Sequence, residues 1–171
     1  TTNCNWTTAQ LFELNYAQFG DTVFIAHRDN PTVKIVRSSA TSFAASIFAF
    51  EEDDTVTVNS TNKTTQPFYK YALSSTTVTM SAHATGASRT LTASASSFSS
   101  AYVGQYLLVN NKQVFVTGHT SATVLTVTVL EDIVSNGPHA DWAEQLISSV
   151  HGFPQAVTFH DNRLWFGGIR D

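Results

Sequence analysis

Carboxylates are the residues of this chain with the most evident chemical potential. The four that could supply an acid–base pair for glycoside cleavage are Asp21, Glu131, Asp132 and Glu144. Such a pair is defined by a separation in space of about 5 to 10 Å and not by its sequence spacing. The sequence therefore leaves a polysaccharide hydrolase open as one alternative function.

Tryptophan positions argue against that alternative. An enzyme cleft usually gathers acidic and aromatic side chains at strand ends, whereas Trp6, Trp142 and Trp165 fall inside or beside patterned strands. We expect these three side chains to pack within the fold. Exposed Trp or Tyr rings on Ser- and Thr-rich strands would instead favour glycan binding by stacking, which is a second alternative.

Motifs of known catalytic chemistry are missing from the sequence. It has no Gly-x-Ser-x-Gly elbow, His-Glu-x-x-His pair, phosphate-binding glycine loop or Cys-x-x-Cys. The histidines are far apart and lack a second ligand at a useful spacing; they are His27, His83, His119, His139, His151 and His160. The acidic run from Glu51 to Asp54 lacks the spaced oxygens and the glycine of a calcium loop. We predict no catalytic residue, no cofactor site, no metal site and no enzymatic activity.

Composition fits a β-rich protein that does not bind nucleic acid specifically. Of 171 residues, 42% are hydrophobic and only 13% are charged, with a net charge of −4. Phosphate binding needs a basic patch, and the nine Lys and Arg residues are spread along the chain. Cys4 is the single cysteine, so no intrachain disulfide can form. No apolar run reaches the length of a membrane span, and we expect no membrane partner.

The first fifty residues read as strands joined by strong turns. Thr7 or Thr8 could cap a short helical turn that runs through Leu11. Residues 21–26 and 33–37 have strand patterns, and Arg28-Asp-Asn-Pro31 between them is a turn sequence. Residues 43–50 form a further apolar run whose aromatic content favours a buried strand.

The middle of the chain changes character twice. Residues 51–71 combine an acidic run with a Ser, Thr and Asn stretch, which predicts a loop or linker. Five short strands with hairpin turns at 110–112 and 118–122 then predict a small antiparallel barrel or sandwich. These strands are placed at residues 77–80, 89–91, 102–109, 114–117 and 124–130.

The final twenty-one residues predict a β-hairpin. Val157 and Phe159 share one face, Asp161-Asn162 makes the turn, and Leu164 and Phe166 return on the same side. This apolar face would remain bare without further chain, so we expect the sequence to be a piece of a longer protein. Residues 142–150 ahead of the hairpin read as a strand or a helical turn.

Two segments of the chain resemble the tail nozzle, or tail tubular, proteins of short-tailed bacteriophages and related prophages. The first runs from Tyr16-Ala-Gln-Phe-Gly-Asp through His27 and Asn30-Pro31 to Ile35-Val-Arg37. The second comprises Gly152-Phe-Pro154, Val157-Thr-Phe159 and Arg163-Leu-Trp-Phe-Gly-Gly168. The segments cover roughly a third of the chain and occur in the order expected of that family.

The resemblance implies both a fold and a function. We expect an all-β chain in which propeller-like blade segments, residues 1–72 plus 135–171, form an incomplete discontinuous domain. A small antiparallel barrel or sandwich, residues 73–134, is inserted into it. The family implies a structural subunit of the virion tail, closed with other copies into a ring, expected to be a hexamer. This ring contacts the portal, the adaptor and other tail proteins, and viral DNA passes through it without specific binding.

Overall fold

A computed structural model describes residue 4 and residues 6–169, and these residues form an all-β structure. The ends of the expected outer domain, residues 1–3, 5 and 170–171, lie outside this range. Strands account for 52% of the residues, and no α-helix occurs in the described part. Two short 3₁₀ turns span Gln10–Glu13 and Ser100–Tyr102. The near absence of helix agrees with the sequence prediction.

Contacts between Cα atoms divide the chain into two compact units. The first combines residues 1–49 with 147–171, and the second contains residues 50–146. The sequence-based prediction had domain boundaries at 72/73 and 134/135. The contact boundaries differ because the strands near residues 68 and 142 pair with the sheet of the second unit.

The first unit contains a four-stranded antiparallel sheet in sequence order. Its strands are β1 (Asn15–Phe19), β2 (Thr22–His27), β3 (Asn30–Arg37) and β4 (Phe43–Ile47). Gly20 between β1 and β2 has a φ of +56°, a conformation that glycine adopts without steric cost. The predicted strands are confirmed, and the turn occupies Arg28 and Asp29, since Asn30 and Pro31 already belong to β3. The prediction of a buried strand at residues 43–50 is wrong, because β4 ends at Ile47 and both Phe43 and Ile47 are exposed.

A separate two-stranded hairpin completes this unit. It consists of β14 (Ala156–His160) and β15 (Arg163–Gly167). Asp161 and Asn162 both have positive φ, as a two-residue hairpin turn requires. Val157 lies opposite Phe166, and Phe159 lies opposite Leu164, so the predicted common apolar face is confirmed.

Aromatic rings join the hairpin to the four-stranded sheet. The ring of Phe159 lies 5.3 Å from that of Phe19 and 5.9 Å from that of Phe24. Phe48 contacts both Phe24, at 5.8 Å, and Phe166, at 5.3 Å. Tilted and edge-on aromatic pairs of this kind contribute about 0.5 to 1.5 kcal/mol each beyond their burial. The cluster connects the hairpin to the sheet, although Phe19 is exposed and the other four rings are half-buried.

The second unit is built on a curled seven-stranded antiparallel sheet, which forms half a barrel. Its order is β7-β13-β10-β11-β12-β9-β8. The strands are β7 (Phe68–Tyr69), β8 (Val78–Met80), β9 (Gly86–Ala93), β10 (Tyr106–Val109), β11 (Lys112–Ser121), β12 (Val124–Val129) and β13 (Trp142–Gln145). All five strands predicted between residues 73 and 134 occur, but β10 begins only at Tyr106, after a 3₁₀ turn that includes Tyr102. The predicted turn at 118–122 is wrong, because β11 continues to Ser121.

A backbone bridge explains the curl of this sheet. Val78 in β8 exchanges two hydrogen bonds with His139, of 2.9 and 2.8 Å. His139 lies three residues before β13, and β13 and β8 are near opposite ends of the strand order. The bridge therefore draws the two ends together around an apolar interior. Fully buried members of this interior are Val78, Leu91, Leu107, Val109, Val114, Val116, Leu125, Val127 and Val129.

The predicted loop at residues 51–71 is wrong. This region contains β5 (Glu52–Val58) and β6 (Thr61–Thr64), which form a hairpin of their own, and β7. Asn59 and Ser60 in its turn both have positive φ. No strand was predicted here because charged and hydroxyl side chains occupy positions where an alternating strand would place apolar ones.

Tryptophan burial follows the prediction only in part. Trp142 is buried, and its indole Nε1 donates to the carbonyl of Thr76 at 2.9 Å. Trp6 is half-buried. Trp165 is 51% exposed because it points to the side of β15 away from Phe166. The expectation that Trp165 packs in the fold is therefore wrong.

The aromatic cluster predicts that alanine substitution of two neighbouring residues of β15 lowers stability by different amounts. Phe166→Ala removes a half-buried ring from the cluster, so we expect a loss of about 2 to 3 kcal/mol, below the cost for a fully buried phenylalanine. Trp165→Ala on the exposed side is the matched control and should cost less. Urea unfolding followed by circular dichroism measures both, and equal losses would contradict the assignment of the two faces.

Candidate assembly surface

The four carboxylates considered for hydrolysis are divided between the two units. Asp21 is exposed at the β1–β2 turn of the first unit, and the other three lie in the second unit. The side chain of Asp132 accepts hydrogen bonds from the backbone N–H, at 2.7 Å, and the hydroxyl of Thr85, at 2.5 Å. These bonds hold the pKa of Asp132 below its ordinary value. Asp132 thus has a structural role in a loop.

Glu131 joins two lysines. Its carboxylate lies 3.1 Å from the Nζ of Lys63 and 3.3 Å from the Nζ of Lys112. Partial burial by itself raises the pKa of Glu131, but the hydrogen bonds from both lysines outweigh it and hold that pKa below the ordinary value. The stabilisation is therefore present above the pKa of an unfolded glutamate and is lost as the pH falls through the lower folded value.

Glu144 is buried in the second unit beside a tyrosine. The hydroxyl of Tyr102 donates to the carboxylate of Glu144 at 2.6 Å. Burial, and then the contact with Glu144, raise the pKa of Tyr102 well above the ordinary tyrosine value. A protonated phenol is the hydrogen-bond donor that a buried carboxylate requires. This buried pair was missed by sequence reasoning, since nothing in the spacing of residues 102 and 144 connects them.

His27 and His139 form hydrogen bonds within the fold. In His27, which is buried, Nδ1 lies 3.1 Å from the backbone N of Asp29 and 3.1 Å from the side-chain N of Asn30. Nδ1 therefore accepts, whereas Nε2 lies 3.4 Å from the carboxylate of Glu13 without forming a hydrogen bond. His139 contacts Asn110 and the carbonyl of Ser135. Across residue 4 and residues 6–169, no group of three or more His, Cys, Asp or Glu side chains is arranged to hold a metal ion.

The two segments that carry the family resemblance meet in the first unit. The backbone N–H of Phe153 donates to the carbonyl of Arg28 at 2.9 Å. The N–H of Val157 donates to the side-chain oxygen of Asn15 at 2.8 Å. With the Phe24–Phe159 ring contact, these bonds bring the start and the end of the chain into one packed unit.

One face of the four-stranded sheet is apolar and partly uncovered. Cross-strand pairing places Tyr16, Ile25, Val33 and Ile47 in one row of this face. Only Val33 in the row is buried, whereas Tyr16 is 72% and Ile47 43% exposed. Phe43, at the end of the same face, is 65% exposed. We call this surface, defined by Tyr16, Phe43 and Ile47, the open sheet face.

The open sheet face is the candidate assembly surface of the chain. The opposite face of the same sheet carries Phe19 and Phe24, which pack against the β14–β15 hairpin. An antiparallel sheet normally exposes one polar face and buries the other. Apolar residues on both faces, with one face covered by a neighbouring sheet, are typical of a sheet that stacks between two others.

Two open clefts adjoin the Arg28–Asp29 turn of the first unit. One has a volume of about 410 Å³ and is lined by Arg28, Asp29, Gln155, Gly168 and Ile169. The other has about 260 Å³ and is lined by the same turn and residues 149–153. Asp29 is the carboxylate among these described lining residues, and it lies 3.7 Å from the side chain of Arg28. Neither described lining supplies the two carboxylates of a glycosidase mechanism.

No protein-family model matches the chain, and no curated protein matches it either. In the part of the chain that the structure describes, no helix has the length and apolar character to span a membrane.

Removal of the apolar side chains from the open sheet face should reduce dye binding. We expect the triple substitution Tyr16→Thr, Phe43→Thr and Ile47→Thr to lower the fluorescence of bound anilinonaphthalene sulfonate, because Thr keeps strand propensity but removes apolar area. Leu73→Thr, at an exposed apolar residue outside the strands, is the control. If the control lowers the signal as much as the triple variant, the open sheet face is not the main apolar surface.

The Tyr102–Glu144 pair predicts a pH dependence at high pH. Because the folded pKa of Tyr102 is raised, its contribution to stability is present below the unfolded tyrosine pKa of about 10 and is lost as the pH rises above it. Tyr102→Phe should cost about 1 to 3 kcal/mol at neutral pH, since Glu144 loses a buried donor. Its urea midpoint should then fall less steeply than that of the wild type above about pH 10. Tyr69→Phe, at an exposed tyrosine, should retain the wild-type slope.

Proposed function

We propose that this chain is part of a tail nozzle subunit of a short-tailed bacteriophage or a related prophage. In this role it is a structural protein of the virion tail, without enzymatic activity or cofactor. The observation that carries the proposal is the packing of the two family-like segments against each other through Arg28–Phe153 and Phe24–Phe159. Two family-like segments from opposite ends of the sequence support the resemblance more strongly when they pack into one structural unit.

The proposed fold of the complete domain is a β-propeller. Four-stranded antiparallel sheets in sequence order are the blades of propellers, and β1–β4 have this arrangement. The β14–β15 hairpin packs on one face as the beginning of a following blade would. The open sheet face would then receive a blade on its other side. In this proposal the curled sheet of the second unit is a module inserted between two blades.

The proposed assembly is a closed ring of copies that forms the conduit for genome ejection. Closure requires heterologous contacts, in which one patch of a copy meets a different patch of the next. The ring, a hexamer by resemblance, would contact the portal, the adaptor and other tail proteins. A net charge of −4 supports passage of DNA without specific binding, because the chain has few cations to hold phosphates.

Electron microscopy of the complete protein that contains this chain tests the assembly. We expect closed rings of about six subunits that bind purified portal–adaptor complexes. In phage complementation, Phe166→Ala should reduce assembly and infectivity together, whereas Trp165→Ala should retain assembly. A protein that stays monomeric at every concentration and does not bind portal–adaptor complexes would contradict the proposal.

A glycan-binding module is a second candidate, because the second unit exposes an aromatic pair. Tyr69 is 57% exposed, and its ring lies 4.9 Å from that of Tyr71. Exposed rings of this kind stack on sugars. Binding on a glycan array that is lost in Tyr69→Ala but kept in Leu73→Ala would favour this candidate. Release of sugars from capsule or peptidoglycan, abolished by Glu131→Gln or Asp21→Asn, would instead favour the hydrolase alternative.

A further inference from the structure

Polar side chains connect the β5–β6 hairpin of the second unit to the curled sheet. The hairpin is a two-stranded sheet of its own and pairs with none of the seven strands. Its strands bury only Thr64, while Val56 and Val58 are half-buried. Isolated two-stranded hairpins are marginally stable in water. The hairpin therefore depends on its side-chain contacts with the sheet.

Gln113 in β11 makes the central contact. Its side-chain amide donates to the carbonyl of Thr64 at 2.6 Å and accepts from the N–H of Thr64 at 3.0 Å. Gln113 is itself buried. The amide thus takes the place of a neighbouring strand at the free edge of β6 by satisfying one backbone donor and one acceptor. Loss of this side chain would leave both groups of Thr64 without these partners.

Two further contacts lie beside the Thr64–Gln113 contact along β6. The hydroxyl of Tyr106 donates to the carbonyl of Asn62 at 3.0 Å. Lys63, between Asn62 and Thr64, pairs with Glu131, which also binds Lys112. The charged groups facing this contact are Glu52 and Asp53 of the hairpin and Asp132 beside Glu131. Consecutive residues of β6 are therefore held by a hydroxyl, an ion pair and an amide.

We propose that the β5–β6 hairpin is a releasable arm, latched to the curled sheet by Gln113, Tyr106 and Glu131. It opens while the sheet stays folded, because the arm contributes almost no apolar burial and the sheet encloses an apolar interior. Opening uncovers the free edge of β6 and the buried amide of Gln113. The ion pair between Lys63 and Glu131 makes the latch sensitive to salt. This proposal does not depend on the tail nozzle assignment.

Hydrogen exchange of the full chain, measured by mass spectrometry, tests the latch. In the wild type, amides of residues 52–64 should exchange faster than those of β11 and β12. Gln113→Leu retains the side-chain size but makes neither hydrogen bond. It should accelerate exchange of the arm amides by about tenfold or more without affecting exchange of the β12 amides. Equal exchange of the arm and the sheet in the wild type, or equal acceleration of both in Gln113→Leu, would overturn the proposal.

A charge variant tests the electrostatic part and keeps the proposal testable if Gln113→Leu does not fold. Raising the salt from about 0.05 to about 1 M shortens the Debye length to about 3 Å and should accelerate exchange of the wild-type arm. Glu131→Gln should accelerate exchange of the arm amides at low salt and remove the salt dependence of that exchange. The control Asp141→Asn removes the exposed Lys70–Asp141 pair of the same unit and should change neither. An arm whose exchange is unaffected by both salt and Glu131→Gln would refute an electrostatic latch.

Discussion

Coverage of apolar sheet faces is the constraint on which both units of this chain depend. The curled sheet of the second unit covers its own inner face, because the Val78–His139 bridge brings its ends together. The four-stranded sheet of the first unit is short and has apolar residues on both sides, so it needs other elements to cover them. The β14–β15 hairpin covers one side through the phenylalanine cluster. Its other side, the open sheet face, stays partly exposed and is the physical basis for the proposed larger β-assembly.

Polar side chains complete the fold where strand pairing ends. Gln113 satisfies the free edge of β6, and His27 accepts from the backbone in the β2–β3 turn. The side chain of Asn15 does the same for Val157. A buried backbone group without a partner costs as much as a lost hydrogen bond, so each contact is needed wherever no strand is available. These side chains therefore direct the arrangement of the elements more than they add to net stability.

The residues behind the family resemblance have physical roles in this structure. His27 orders the turn that presents the carbonyl of Arg28, and Phe153 binds that carbonyl. Gly152, with a φ of +94°, lets the chain bend before the buried Pro154 leads into β14. A sequence pattern that depends on such contacts is maintained by the packing of the unit. It does not by itself identify a binding surface.

By itself, the sequence determined the all-β class, most strands of both units and the final hairpin, because alternation and Asn- or Asp-containing turns are local signals. It did not reveal the β5–β6 hairpin, since that element is stabilised by Gln113 and Glu131 from distant parts of the chain and not by an apolar stripe. The exposure of Trp165 and the pairing of Tyr102 with Glu144 were also decided by tertiary structure. The open sheet face was equally hidden, because Tyr16, Phe43 and Ile47 come together only through strand register. Local alternation shows that a strand has an apolar side, but only the tertiary packing decides what covers it.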